Sequence, residues 1–92
     1  MTKYVIERNM PGVGRLTPTE LAGASKVSND VLAQLAPRVS WQQSYVTDDK
    51  IFCVYVATDP DAIREHARLA GFPADAIHPV GTVIDPSTAG AS

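Results

Sequence analysis

Ninety-two residues, 45% of them hydrophobic and 20% charged, describe one ordinary globular domain and exclude both a second domain and a disordered chain. Eight Lys and Arg against ten Asp and Glu leave a net charge of −2. The cations (Lys3, Arg8, Arg15, Lys26, Arg38, Lys50, Arg64, Arg68) are scattered, which excludes a nucleic-acid platform built on clustered phosphate contacts.

In chain order, Lys3 to Arg8 is rich in Tyr, Val and Ile and reads as a first strand. Asn9-Met10-Pro11-Gly12-Val13-Gly14 follows as a loop. Thr17-Pro18-Thr19-Glu20 opens a helix over 18–36, with Thr17 as cap, Pro18 at the first position and Glu20 completing a capping box. Leu21, Ala24, Ser28, Val31, Leu32 and Leu35 form its apolar or small stripe, and Pro37 stops it. Val39–Val46 and Ile51–Ala57 read as a hairpin joined across Thr47-Asp48-Asp49-Lys50. Asp59-Pro60 caps a second helix over 60–70, ending at Gly71. Ile77 to Ile84 supplies a last strand, which Pro79 and Gly81 consign to a sheet edge. A domain over 1–86 with a flexible tail over 87–92 completes the expectation.

The order β-α-β-β-α-β is the ferredoxin-like arrangement, an α+β fold with a four-stranded antiparallel sheet and two helices on one face. The other sheet face is left bare, and a second copy of the chain is expected to cover it. A hairpin turn centred on Asp48-Asp49 sorts the strands into two faces. Trp41, Gln43, Tyr45, Phe52, Val54 and Val56 share the more apolar one, expected to meet the helices. Gln42, Ser44, Val46, Ile51, Cys53 and Tyr55 share the other, suited to a pocket or a wet interface; a one-residue bulge would reverse part of this assignment.

His66 flanks the apolar side of the second helix, where an imidazole can bind metal, shuttle a proton or donate to a carbonyl. His78 precedes Pro79 on the expected edge and reads as a surface histidine; its twelve-residue separation from His66 matches no compact ligand spacing. Cys53, the only cysteine, makes no internal disulfide and reads as a buried thiol. Glu7 interrupts an apolar strand, so it sits at a wet end or belongs to a site, and Arg8 points to the opposite face. Asp48 and Asp49 read as water-exposed turn formers. The single thiol, the short apolar run at residues 1–8 and the lack of any ~20-residue apolar stretch predict a cytoplasmic protein with no membrane span.

The segments Val5-Ile6-Glu7-Arg8-Asn9-Met10-Pro11-Gly12, Ser44-Tyr45-Val46-Thr47-Asp48-Asp49-Lys50, Cys53-Val54-Tyr55, Arg64-Glu65-His66-Ala67 and Ala70-Gly71-Phe72-Pro73-Ala74-Asp75 together resemble a family of small bacterial nickel-binding proteins, long described as a domain of unknown function. The resemblance runs from about Tyr4 to Pro86. It implies a ferredoxin-like chain that pairs into a dimeric α+β barrel and binds nickel or a related divalent metal ion. His66 matches a histidine of the family's second-helix motif and Cys53 its hairpin motif. Metal-binding relatives carry further histidines near the end of the first strand, where this chain has Glu7-Arg8-Asn9-Met10. Oxygen donors there shift preference toward harder ions.

Three functions are open at this level: a metal-binding protein, a small-molecule-binding module or enzyme of the dimeric barrel type, and an interaction domain without a ligand. In the first, His66 and Glu7 are the expected metal ligands, meeting at the sheet edge or across the dimer. In the second, Gln42, Tyr45, Cys53 and Tyr55 are the expected ligand-binding residues, with His66 as general base and Tyr55 or Arg8 holding a polarised oxygen. A homodimer is the expected assembly.

Overall fold

The computed structural model describes residues 1–90. Strand β1 (Thr2–Asn9) alternates buried and half-buried side chains along its length, as a strand with one covered face must. It sends Tyr4, Ile6 and Arg8 to the covered side. A 3-10 turn at Val13–Arg15 leads into α1 (Pro18–Leu35). The expected capping box is present: the Thr17 hydroxyl accepts from the Glu20 amide at 3.2 Å, and Glu20 Oε1 accepts from the Thr17 amide at 3.0 Å. Ser28, Val31 and Leu35 of the predicted stripe are buried. The chain turns at Ala36-Pro37, whose peptide bond is cis.

Strands β2 (Val39–Val46) and β3 (Lys50–Ala57) form the expected hairpin. Helix α2 (Pro60–Ala70) starts on Asp59, whose carboxylate accepts from the Ala62 amide at 2.9 Å, and ends at Gly71. Gly71 takes φ 75°, a conformation that a side chain disfavours, which is why glycine suits the helix end. Strand β4 is shorter than expected, Ala76–Pro79 instead of Ile77–Ile84. Pro79 offers no amide to the ladder, and pairing stops after Val80 donates to the Lys3 carbonyl at 2.8 Å. Pro86–Gly90 forms a 3-10 turn; the last two residues of the expected tail over 87–92 lie outside the described residues.

The sheet is four-stranded and antiparallel in the order β2-β3-β1-β4, so β4 is an edge strand as expected. The fold is α+β and ferredoxin-like. One expectation is reversed. The side of the hairpin that meets the helices carries Cys53, Tyr55 and Ala57, all buried, whereas Phe52, Val54 and Val56 are only half-buried on the open face. The register between β1 and β3 sets this: Tyr4 opposes Tyr55 and Ile6 opposes Cys53, so these four share the covered side. A bulge at Gln42 lies between the Trp41–Tyr55 and Gln43–Val54 pairs. Trp41 therefore joins Tyr55 on the helix side while Gln43 and Tyr45 turn away. The core consists of Tyr4, Ile6, Val31, Leu35, Val39, Cys53, Tyr55, Ala57, Ala62 and Ile63. No described helix is long and apolar enough to cross a membrane.

Candidate functional site

Beneath the helices, alternation along β1 carries the cation of Arg8 into the interior, where its residue is 2% exposed. Its guanidinium meets three neutral acceptors: Nη1 donates to the Pro73 carbonyl at 2.6 Å, Nε to Cys53 Sγ at 3.4 Å and Nη2 to the Tyr55 hydroxyl at 3.5 Å. The Tyr55 and Phe72 rings each lie 5.9 Å from Arg8 Cζ, near the outer limit of cation–π attraction. Burial raises the Tyr55 phenol above its ordinary range, and Arg8 works against that shift.

His66 is fully buried on the sheet-facing side of α2. Its Nε2 lies 3.0 Å from the Ser28 hydroxyl of α1, its ring centroid 5.4 Å from that of Tyr55, and its Nδ1 has no partner among the described residues. Burial, and secondarily the charge of Arg8, lower its pKa from 6.5 to about 4. The imidazole is thus neutral at pH 7 and a weak base, because burial strips its charged form of water and the Arg8 charge opposes protonation. A cavity of about 90 Å³ opens between the sheet, the first half of α1 and the loop after β1. Arg8, Ser28, Cys53, Tyr55 and Trp41 are among the residues that line it.

On the open face the chemistry differs. Glu7 Oε1 lies 3.1 Å from His78 Nε2, and Glu7 Oε2 lies 3.7 Å from Lys50 Nζ. The carboxylate reaches all the way to strand β4 because Val5 opposes His78 one pleat away.

The structure therefore separates the residues expected to act together. His66 and Glu7 do not meet in one subunit: Glu7 sits on the bare face of β1 and His66 under the helices, with the sheet between them. Period-two alternation, which sends Arg8 inward, forces Glu7 outward. Of the four expected ligand-binding residues, Cys53 and Tyr55 share the cavity. Gln42 is exposed at the bulge, and Tyr45 is 56% exposed on the open face. Sequence reasoning placed Ser28 in the apolar or small stripe of α1 and offered Arg8 as a holder of a polarised oxygen, but it missed the contacts that gather them with His66, Cys53 and Tyr55. A signal of their burial was available, since a serine in a helix's apolar stripe and an arginine two residues after Ile6 both mark polar groups carried inward. The Glu7–His78 pair was missed because it depends on the β1–β4 register, which no local pattern displays. Among the described residues, no group of three or more His, Cys, Asp or Glu side chains could hold a metal ion.

Residues 4–80 match the model of a family described as "Nickel responsive protein SCO4226-like", and the chain belongs to that family. Its fold is similar to the crystal structure of SCO4226 from Streptomyces coelicolor A3(2), with a TM-score of 0.75 and 21% identity over 89% of this chain and 99% of that one. No curated protein matches the chain.

Proposed function

We propose that this chain is a small nickel-responsive protein that takes up a divalent metal ion on the open face of its sheet, through His78 and Glu7. The observation that carries this reading is the imidazole–carboxylate pair at 3.1 Å, outside the core, in a chain of a nickel-responsive family. Imidazole and carboxylate together suit a borderline divalent ion. His66 is poorly suited, since one ring nitrogen is engaged by Ser28 and the whole residue is buried. One chain supplies two donors, too few for a closed shell. A second copy laid against the same face contributes a second pair and covers Val5, Phe52, Val54 and Val56. Glu7 already attracts Lys50, so metal uptake exchanges one cation for another at this carboxylate. The single buried thiol of Cys53 accords with a cytoplasmic setting.

Equilibrium dialysis of untagged protein against nickel, with elemental analysis, tests the reading. Stoichiometric uptake is expected in the wild type, with loss in His78→Ala and Glu7→Gln and retention in His66→Ala. Uptake that survives His78→Ala but vanishes in a folded His66→Ala would overturn it.

A further inference from the structure

Arg8 is buried at 2% exposure, lines the cavity, and takes part in none of the ion pairs among the described residues. A buried cation without an anion is costly, because its hydration is lost and no Coulombic partner replaces it. The acceptors it does have are neutral: Cys53 Sγ at 3.4 Å is a weak acceptor, and the Tyr55 hydroxyl at 3.5 Å is long for a hydrogen bond to a charged donor. A guanidinium carries five N–H donors; the three contacts leave two for a further acceptor.

The cavity beside it, about 90 Å³, exceeds the roughly 10–15 Å³ needed for one water and has room for a small organic molecule. Its other walls are chiefly apolar, with Val13, Leu16 and Leu21 on the side of the loop and α1. We propose that this cavity binds a small monocarboxylate, with the carboxylate on the Arg8 guanidinium and the hydrocarbon chain against Val13, Leu16 and Leu21. The planar fork of Arg8 matches a carboxylate's two oxygens. One fixed positive charge among apolar walls selects a monoanion over inorganic phosphate, which would need several more donors. The site lies across the sheet from the Glu7–His78 pair and does not depend on metal uptake there.

Trp41 is the sole tryptophan and lines the cavity, so its fluorescence reports occupancy. The probe is sodium butyrate, titrated at constant ionic strength with a chelator present to remove metal. A saturable change in Trp41 emission is expected with butyrate and not with butyramide, which has the same shape without the charge. Arg8→Met is expected to weaken butyrate binding at least tenfold. Ala24→Phe, which fills the cavity from α1 and leaves Arg8 in place, should abolish binding; it decides the matter if Arg8→Met does not fold. Equal binding of butyrate and butyramide, phosphate binding in place of butyrate, retained affinity in Ala24→Phe, or no response to butyrate at about 100 mM would overturn the proposal.

Discussion

At the scale of single residues, the interior holds a cation and an imidazole with no buried carboxylate among the described residues. Arg8 and His66 are both buried, and the charge of Arg8 is one of the two influences that keep His66 neutral. That neutrality makes the fold sensitive to acid. The folded pKa of about 4 lies below the ordinary 6.5, so as pH falls through 6.5 the unfolded chain takes a proton that the folded chain refuses. Stability is fully present above 6.5 and declines between 6.5 and about 4. The full difference corresponds to about 3 kcal/mol. Denaturant titrations at pH 7 and pH 5, a range in which ordinary carboxylates remain largely ionised, should show a lower midpoint at pH 5. In His66→Leu that dependence should largely disappear. A wild-type midpoint that does not fall at pH 5 would show that His66 is protonated in the folded chain.

At the scale of elements, the local signals were faithful. Thr17, Pro18 and Glu20 announced α1, Asp59 and Pro60 announced α2, and Gly71 ended it, since caps and stops act within one helical turn and owe little to the rest of the chain. The Asp48-Asp49 turn was also correctly located, but its role was larger than expected. Asp49 Oδ1 accepts from the Gly12 amide at 2.9 Å, and the Asp48 carbonyl accepts from the Gly14 amide at 3.0 Å, so the hairpin turn is tied to the loop after β1. That contact requires close backbone approach. A Cβ on Gly14 would stand 2.8 Å from both Asp48 Cα and the Thr47 carbonyl oxygen. Gly14→Ala should therefore push the loop away from the turn and destabilise the protein by about 1–3 kcal/mol. Chemical denaturation measures this, and an alanine variant of unchanged stability would show that the loop moves freely.

At the scale of the whole molecule, the sheet face opposite the helices is left open. Val5, Phe52, Val54 and Val56 lie there only half-buried, and Tyr45 is largely exposed beside them. An apolar face of this kind suits association with another chain. A self-complementary dimer covers it with the fewest demands, since one patch serves both partners. Light scattering at micromolar concentration should report a dimer. Val54→Lys should yield a folded monomer, because a charge on this open face would lose its water in a dimer without gaining a partner. A wild-type monomer, or a dimer indifferent to Val54→Lys, would remove the open face as the interface.

The sequence by itself determined the six main elements, the β-α-β-β-α-β order and the edge position of β4. These follow from caps, breakers, periodicity and a topology that leaves few alternatives. The family was legible too, because its motifs are contiguous segments. Which face of the hairpin meets the helices was decided only by tertiary structure. Both faces carry apolar residues, and the choice rests on the β1–β3 register and the Gln42 bulge, where one extra residue exchanges inside for outside. The site was decided the same way. Glu7 finds His78 across seventy-one residues, and Arg8 finds Cys53 across forty-five, through strand pairings that bring distant side chains to one face. No local pattern encodes such a meeting; it exists only once the sheet has closed.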